Sequence, residues 1–228
     1  MFDLFDRVGY ALCHQLPERS FSAAGVQVAV CARDTGIYVG FIVSLALLVV
    51  MYGRVHPRAL PNLRGMLVIT ALIAFMAWDG VTSYAGLRET TNLLRSVTGV
   101  GAGFAMALVS YPLLNDVLWR SSTPMAPLDR AYRIGLWSLG IPATVAAIYV
   151  LLLAPWPILP IVVFVAVVAT FTAVNLIIVG MLPRYDRRAE RVRQLLEPAF
   201  MAFLLGVAEL AAAGALRHVI ESMTGTIG

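Results

Sequence analysis

Long apolar runs separated by short polar segments dominate this chain. Crossing about 30 Å of hydrocarbon takes roughly 20 apolar residues in a helix, so each long run is a candidate membrane span. The pattern predicts an all-α polytopic membrane protein with about six transmembrane helices, and we interpret residues 1–228 as a single integral membrane domain. The predicted spans lie near 37–53, 66–86, 96–117, 135–154, 160–182 and 198–220.

The segment before the first span, residues 1–36, is too polar to cross a bilayer. Its first dozen residues carry an apolar stripe at helical spacing, which suits a short helix lying at the membrane interface. Pro17 and Gly25 interrupt helix formation further along. We therefore expect an N-terminal interfacial segment, whose stripe consists of Phe2, Phe5, Val8 and Leu12.

Composition agrees with a membrane protein, since 60% of the residues are hydrophobic and 13% are charged. A soluble domain carries about 25% charged residues. The net charge of +4 comes from arginines in loops, and no basic run is interleaved with aromatic residues as a nucleic-acid surface requires. We expect membrane lipid as a partner and no nucleic acid, and nothing in the sequence sets the oligomeric state.

Arginine counting predicts the orientation. In a six-span topology the loops 54–64, 118–134 and 183–194 share one side of the membrane and hold 11 arginines, against 6 on the other side. Cytoplasmic loops carry the excess of basic residues. The count predicts a multi-pass protein of the cell membrane with both termini outside, which places residues 1–36 at the outer face.

Both cysteines of the chain lie in this outer-face segment, in the blocks Cys13–Ser20 and Cys31–Gly36. A disulfide is permitted on an oxidising side of the membrane, so Cys13 and Cys31 are candidates for one. Alternatively, Cys13, His14, Cys31 and Asp34 offer donors suited to tetrahedral zinc. Adjacent residues 13 and 14 cannot easily chelate one ion together, and the spacing is not a standard one, so both interpretations stay open.

Further polar residues fall at the same predicted surface. Asp79 lies inside the outer end of the second span, where a carboxylate is costly unless it is paired or hydrated. Asn92 and Arg95 are three residues apart, so they share a face at the start of the third span. Three separate segments would thus deliver polar groups to one leaflet.

These groups suggest roles. Guanidinium groups bind phosphate oxygens bidentately, which makes Arg19, Arg33 and Arg95 candidate phosphate ligands. Asn92 would orient the head group, and His14 with Asp79 would supply a general acid and base. The alternative for Asp79 is an ion pair with Arg95 or Arg33 that only holds helices together.

The same residues carry a resemblance. The blocks Cys-His-Gln-x-Pro-Glu-Arg-Ser and Cys-Ala-Arg-x-Thr-Gly-Ile-Tyr, followed by Asp79-Gly80 and an Asn-x-x-Arg-x-x-Thr-Gly motif from Asn92, resemble an uncharacterised prokaryotic family of multi-span membrane proteins, a domain of unknown function. Members often have cysteine at the position of Asp34. The resemblance covers about the first half of the chain and implies a multi-span membrane protein.

Three functions follow as hypotheses. The leading one is an outer-leaflet site for a phosphorylated lipid head group, which leaves open whether the protein binds its ligand or acts on it as an enzyme. The alternative is a metal-binding or redox-sensing protein that uses Cys13, His14, Cys31 and Asp34. The weakest is a transporter or a non-catalytic subunit with a polar path through Asp79 and the mid-span Glu209.

Overall fold

Six long helices form the body of the molecule. The computed structural model describes residues 2–224, with side chains from residue 5 onward, so the place of Phe2 in the apolar stripe lies outside the described side chains. Each long helix overlaps a predicted span and begins two to five residues before it. Each is long and apolar enough to cross a membrane, which confirms the all-α polytopic fold. The helices are α2 (Ala32–Tyr52), α3 (Leu63–Tyr84), α4 (Asn92–Leu118), α5 (Ala131–Leu152), α6 (Ile158–Gly180) and α7 (Leu196–Thr224).

The N-terminal segment is more structured than predicted. It begins with the short helix α1 (Phe2–Leu12), and a 3-10 turn at Pro17–Arg19 leads into an antiparallel hairpin of β1 (Ser20–Ala23) and β2 (Val26–Cys31). The hairpin turn consists of Ala24 and Gly25, both at positive φ (50° and 78°). Two consecutive positive φ values define the tight turn that matches the twist of paired strands.

Helix α1 rests on the bundle. Phe5 is buried, and its ring lies 4.6 Å from that of Phe164 on α6. Arg217 of α7 donates hydrogen bonds of 2.7 Å to the backbone oxygens of Tyr10 and Cys13, at the end of α1. The apolar stripe of the predicted interfacial helix therefore packs at least partly on protein.

Helices α2 and α4 form the centre of the molecule, and glycines bring them together. An added Cβ at Gly36 would lie 2.6 Å from the backbone oxygen of Ser96, and one at Gly40 would lie 2.9 Å from that of Val100. A Cβ at Gly99 would collide with the backbone oxygen of Arg33. Small residues permit such close backbone approach between membrane helices. The contact fixes the first turns of α2 and α4 side by side.

The two ends of the bundle are distinct. The loops after α2, α4 and α6 contact one another: the Arg58 amide donates to the Thr123 oxygen at 3.0 Å, and the Arg120 amide donates to the Ala189 oxygen at 3.0 Å. These are the three arginine-rich loops. The hairpin and the α3–α4 connection lie at the other end, where α2 and α4 begin.

Candidate functional site

A narrow cleft opens where α1, the hairpin, and the ends of α2, α3 and α4 meet. We call it the arginine cleft. Its lining combines both cysteines with three arginines that come from different elements. The lining residues are Cys13, His14, Leu16, Arg19, Cys31, Arg33, Ser83, Tyr84 and Arg95.

The two cysteines meet in this cleft although 18 positions separate them in the chain. Cys13 immediately follows α1, and the hairpin returns the chain so that Cys31 immediately precedes α2. Their sulfur atoms and a carboxylate oxygen of Asp34 all lie within 4.8 Å of one another, and the Cys31 thiol donates to Asp34 Oδ2 at 3.3 Å. Both cysteines are free thiols in the structure. A disulfide between Cys13 and Cys31 is still a prediction, for the oxidised form of the protein.

The thiol pair is electrostatically unequal. The Cys31 thiol has one proton to share between Asp34 and Cys13. Its hydrogen bond to Cys13 stabilises the Cys13 thiolate and lowers the pKa of Cys13 to about 5, although burial opposes this. The same hydrogen bond, followed by burial and the charge of Asp34, raises the pKa of Cys31. At neutral pH Cys13 is therefore a thiolate and Cys31 is a thiol. A thiolate is the form that acts as a nucleophile or binds a metal.

Two glutamines hold the Cys13 loop against the hairpin. The Gln15 side chain donates to the backbone oxygen of Ala29 at 3.2 Å, and the Gln27 side chain donates to that of Gln15 at 2.9 Å. Gln15 has a positive φ of 54°, a conformation that is uncommon outside glycine. Together with Arg217, these bonds fix the backbone that carries Cys13.

Asp79 lies behind the cleft and is completely buried. Arg33 Nη2 donates to its Oδ2 at 2.5 Å, and Arg88 Nη2 forms a second ion pair with its Oδ1. The Thr90 hydroxyl also donates to Oδ1, at 3.0 Å. Both carboxylate oxygens are thus engaged, and the carboxylate fixes the position of Arg33. Of the two arginines predicted as its partners, Arg33 is one, whereas Arg95 bonds elsewhere and Arg88 takes its place.

The other two arginines of the cleft have no acidic partner among the residues that the structure describes. Arg95 donates to the side-chain oxygen of Asn92 at 2.9 Å, and the Arg19 guanidinium lies 4.8 Å from the centre of the Tyr84 ring. Within the described part of the chain, no carboxylate lies within 4.0 Å of either guanidinium group. Arg33 adds a buried Nε–H with no hydrogen-bond acceptor among the described residues. Buried donors are normally satisfied, so this corner of the site favours an added acceptor.

The cleft is tight. Its cavity of about 10 Å³ is roughly the space that a single water molecule needs. A water or a metal ion fits this conformation, whereas a head group needs the walls to separate. The contact of Arg19 with Tyr84 joins two of those walls.

The structure brings most of the predicted site residues together. Cys13, Cys31 and Asp34 form one cluster, and Arg19, Arg33 and Arg95 line the cleft beside it. His14 is exposed at the edge of the cleft and is not a member of the three-residue cluster. Asn92 and Asp79 each hold one of the cleft arginines.

Other residues of the site were not predicted from the sequence. Arg88 lies nine positions after Asp79 and was visible only as one of several loop arginines. The contacts of Gln15, Tyr84 and Arg217 were not predicted, because they depend on how distant parts of the chain meet in the fold. Glu209 lies elsewhere: Asn175 of α6 donates to it at 2.7 Å, and α7 packs chiefly on α6 while α3 packs on α4. The structure therefore separates Glu209 from Asp79.

Comparison with known proteins assigns the part of the chain that forms the cleft to a family. Residues 13–109 match the model of the family described as predicted membrane protein (DUF2085). An uncharacterized protein of Methanocaldococcus jannaschii is 38% identical over 109 residues, which is 48% of this chain and 67% of the relative. An uncharacterized protein of Methanothermobacter thermautotrophicus is 37% identical over 107 residues, 47% of this chain and 91% of the relative. The chain belongs to the DUF2085 family. No solved structure matches it.

The DUF2085 match begins at Cys13 and ends within α4, so it contains every residue that lines the arginine cleft. It also contains Asp79, Arg88 and Asn92. Arg217, which holds the backbone of Cys13, lies outside the match. The family assignment confirms the predicted resemblance to a membrane-protein family of unknown function.

Proposed function

We propose that this protein binds a phosphorylated lipid head group in the arginine cleft, at the outer leaflet of the cell membrane. The observation that carries the proposal is the pair Arg19 and Arg95, two guanidinium groups that face one cleft without a carboxylate partner among the described residues. Charge-assisted bonds from arginine to phosphate are among the strong ones, and arginine forms them bidentately. A phosphate would satisfy both groups.

Each neighbouring residue has a part in this proposal. Arg33 binds the same phosphate, and Asp79 holds Arg33 in position from behind. Asn92 orients Arg95 and, through it, the head group. If the protein acts on its ligand as an enzyme, His14 is the titratable group at the cleft edge that is free to exchange a proton, because both oxygens of Asp79 are engaged. Asp79 is therefore a positioning residue in this proposal.

The proposed orientation rests on the arginine-rich loops, which meet at the end opposite the cleft. By the positive-inside rule that end is cytoplasmic, so both termini and the cleft face outward. A membrane-impermeant maleimide applied to intact, reduced cells should then label Cys13. Labelling that requires lysis, in a protein whose cysteines react once purified, would contradict this orientation.

A second candidate function is metal binding, favoured by the convergence of three donor atoms within 4.8 Å. Two thiolates and a carboxylate are suitable zinc ligands. In this proposal Cys13, Cys31 and Asp34 hold Zn²⁺, and the metal belongs to the same site as the arginines, because both cysteines line the cleft.

Native mass spectrometry of the detergent-purified full chain, with added short-chain phosphatidylglycerol, tests the lipid proposal. Arg95→Gln should weaken lipid binding by about 10- to 100-fold, the effect of losing a hydrogen bond to a charged group. Arg95→Lys should also weaken it, because lysine keeps the charge but not the fork. The matched control is Arg120→Gln, which removes the same charge from the opposite end, where Arg120 pairs with Glu190 on the surface. Equal losses in Arg95→Gln and Arg120→Gln would refute the proposal.

A further inference from the structure

The three candidate metal donors differ in their relation to the arginine cleft. Cys13 and Cys31 line the cleft, whereas Asp34 is not part of the lining. Asp34 is hydrogen-bonded to Cys31 at 3.3 Å. An ion held by these three donors would therefore adjoin the cleft through its two sulfur ligands. Zinc sites with three protein ligands keep a fourth position for water or substrate, whereas structural sites are closed by a fourth residue.

His14 does not close this site. Its ring nitrogens are not within the 4.8 Å group that the other three residues form, and the residue is exposed. Residues adjacent in the sequence also cannot easily chelate one ion together, and Cys13, the neighbour of His14, already contributes its sulfur. The fourth position thus faces the cleft rather than a protein side chain.

The charges around the fourth position of the metal determine which kind of ligand it favours. Two thiolates and one carboxylate around a dication leave a net charge of −1, so the metal alone would not attract an anion. Arg19 and Arg95 add two positive charges without carboxylate partners among the described residues. Arg33 and Arg88 share Asp79, which leaves one further positive charge. The surroundings therefore favour an oxyanion next to the metal, held on its other side by guanidinium groups.

We infer that Cys13, Cys31 and Asp34 bind one zinc ion whose fourth position opens into the arginine cleft, so that a single phosphate oxygen is shared by the metal and the arginines. This inference rests on the proposed function and deepens it: the head group and the metal bind as one unit. Two ligands that stabilise each other must do so reciprocally. Zinc should therefore tighten phosphate binding, and phosphate should tighten zinc binding by the same factor.

The test measures Zn²⁺ affinity of the reduced full chain by competition with a chromophoric chelator, with and without inorganic phosphate and short-chain phosphatidylglycerol. In the wild-type protein, either phosphate compound should tighten zinc binding by at least about fivefold. A response to phosphatidylglycerol alone would assign the ligand to lipid, and a response to both would assign it to the phosphate group. No response to either compound overturns the inference.

Single-residue variants separate zinc binding from the response to phosphate. Cys31→Ser should abolish zinc binding, and Cys13→Ser serves the same purpose if the first variant does not fold. Arg95→Gln should retain zinc affinity in the absence of phosphate but lose the response to it. His14→Gln should leave the zinc affinity measured without phosphate unchanged, because His14 is not one of the three donors.

Failure of this inference is distinguishable from failure of the proposed function. Loss of zinc binding in His14→Gln would mean a closed, structural site and would overturn the shared phosphate, while lipid binding that depends on Arg95 would persist. Zinc binding with no phosphate response would overturn the coupling in the same way. Zinc binding that responds to neither phosphate compound, together with lipid binding that does not depend on Arg95, would overturn both proposals.

Discussion

At the cleft end of the bundle, Asp79 is buried between Arg33 and Arg88, whereas at the opposite end Arg120 and Glu190 pair at 2.6 Å with side chains that are 73% and 57% exposed. Arg184 and Glu197 pair in the same exposed way. Both ends use the same residue types, but Arg19 and Arg95 at the cleft end line one cavity together and have no carboxylate partner among the described residues. Exposed pairs contribute little to stability, whereas buried, incompletely neutralised charge is typical of a ligand site.

The largest difference between the two ends should appear when an acid is neutralised. Asp79→Asn leaves two arginines facing each other without a counter-charge, and breaking a buried pair typically lowers the free energy of unfolding by about 3–5 kcal/mol. Glu190→Gln at the opposite end breaks an exposed pair and should cost less than about 1 kcal/mol. Thermal unfolding of both variants in the same detergent measures the contrast. Similar stabilities for the two variants would mean that Asp79 is not confined as described.

Disrupting the contact between α2 and α4, which aligns the cleft, should lower the free energy of unfolding by an intermediate amount. Gly99→Ala inserts a methyl group against the backbone of Arg33, and overpacking of this kind costs typically 1–3 kcal/mol. Gly135 on α5 has open space around its Cα, so Gly135→Ala is the matched control and should be neutral or slightly stabilising. Thermal unfolding compares the two variants. An unchanged melting temperature for Gly99→Ala would argue against the close approach of α2 and α4.

The smallest effect on stability, but a clear effect on reactivity, concerns Cys13. With its pKa lowered to about 5, Cys13 is a thiolate above that pH and becomes protonated as the pH falls through 5. Its alkylation rate should differ by less than about twofold between pH 6 and pH 8, whereas an ordinary thiol of pKa about 8.5 changes roughly 80-fold. Peptide mass spectrometry of the reduced, metal-free protein measures this rate at Cys13 itself.

The matched control for this pH profile is Cys31→Ala, which removes the donating thiol. The pKa of Cys13 should then rise toward its ordinary value, because its thiolate loses the hydrogen bond from Cys31. A wild-type profile with the steep pH dependence of an ordinary thiol would show that the two cysteines do not share a proton.

The spans were predictable because roughly 20 consecutive apolar residues have no common alternative to a membrane helix. Gly99 and Gly103 at the start of α4 are small residues four positions apart, a sequence pattern that indicates close helix packing. The hairpin was not predictable, because strands of four and six residues give a weak pattern and the turn at Ala24–Gly25 lacks the commonest residue pair.

The members of the site were predictable from the sequence, but the contacts between them were not. Asp79 invited a prediction of an arginine partner because an isolated carboxylate at that depth is costly, yet the choice of Arg88 depends on how the loop after Gly86 folds back. Arg217 reaches Cys13 across 204 positions of chain, a separation that no local pattern encodes. The predicted roles of His14, Asn92 and the arginines in function stay predictions.

The most direct test of the ligand site is a cryo-electron microscopy map of the protein purified in lipid nanodiscs that contain phosphatidylglycerol. The account predicts phosphate-sized density between Arg19, Arg33 and Arg95, with Tyr84 displaced from Arg19 as the cleft opens. It also predicts that Arg95→Gln removes this density while leaving Asp79 between Arg33 and Arg88. Head-group density confined to the opposite end, near Arg184 and Arg188, with the cleft closed around water, would contradict the account.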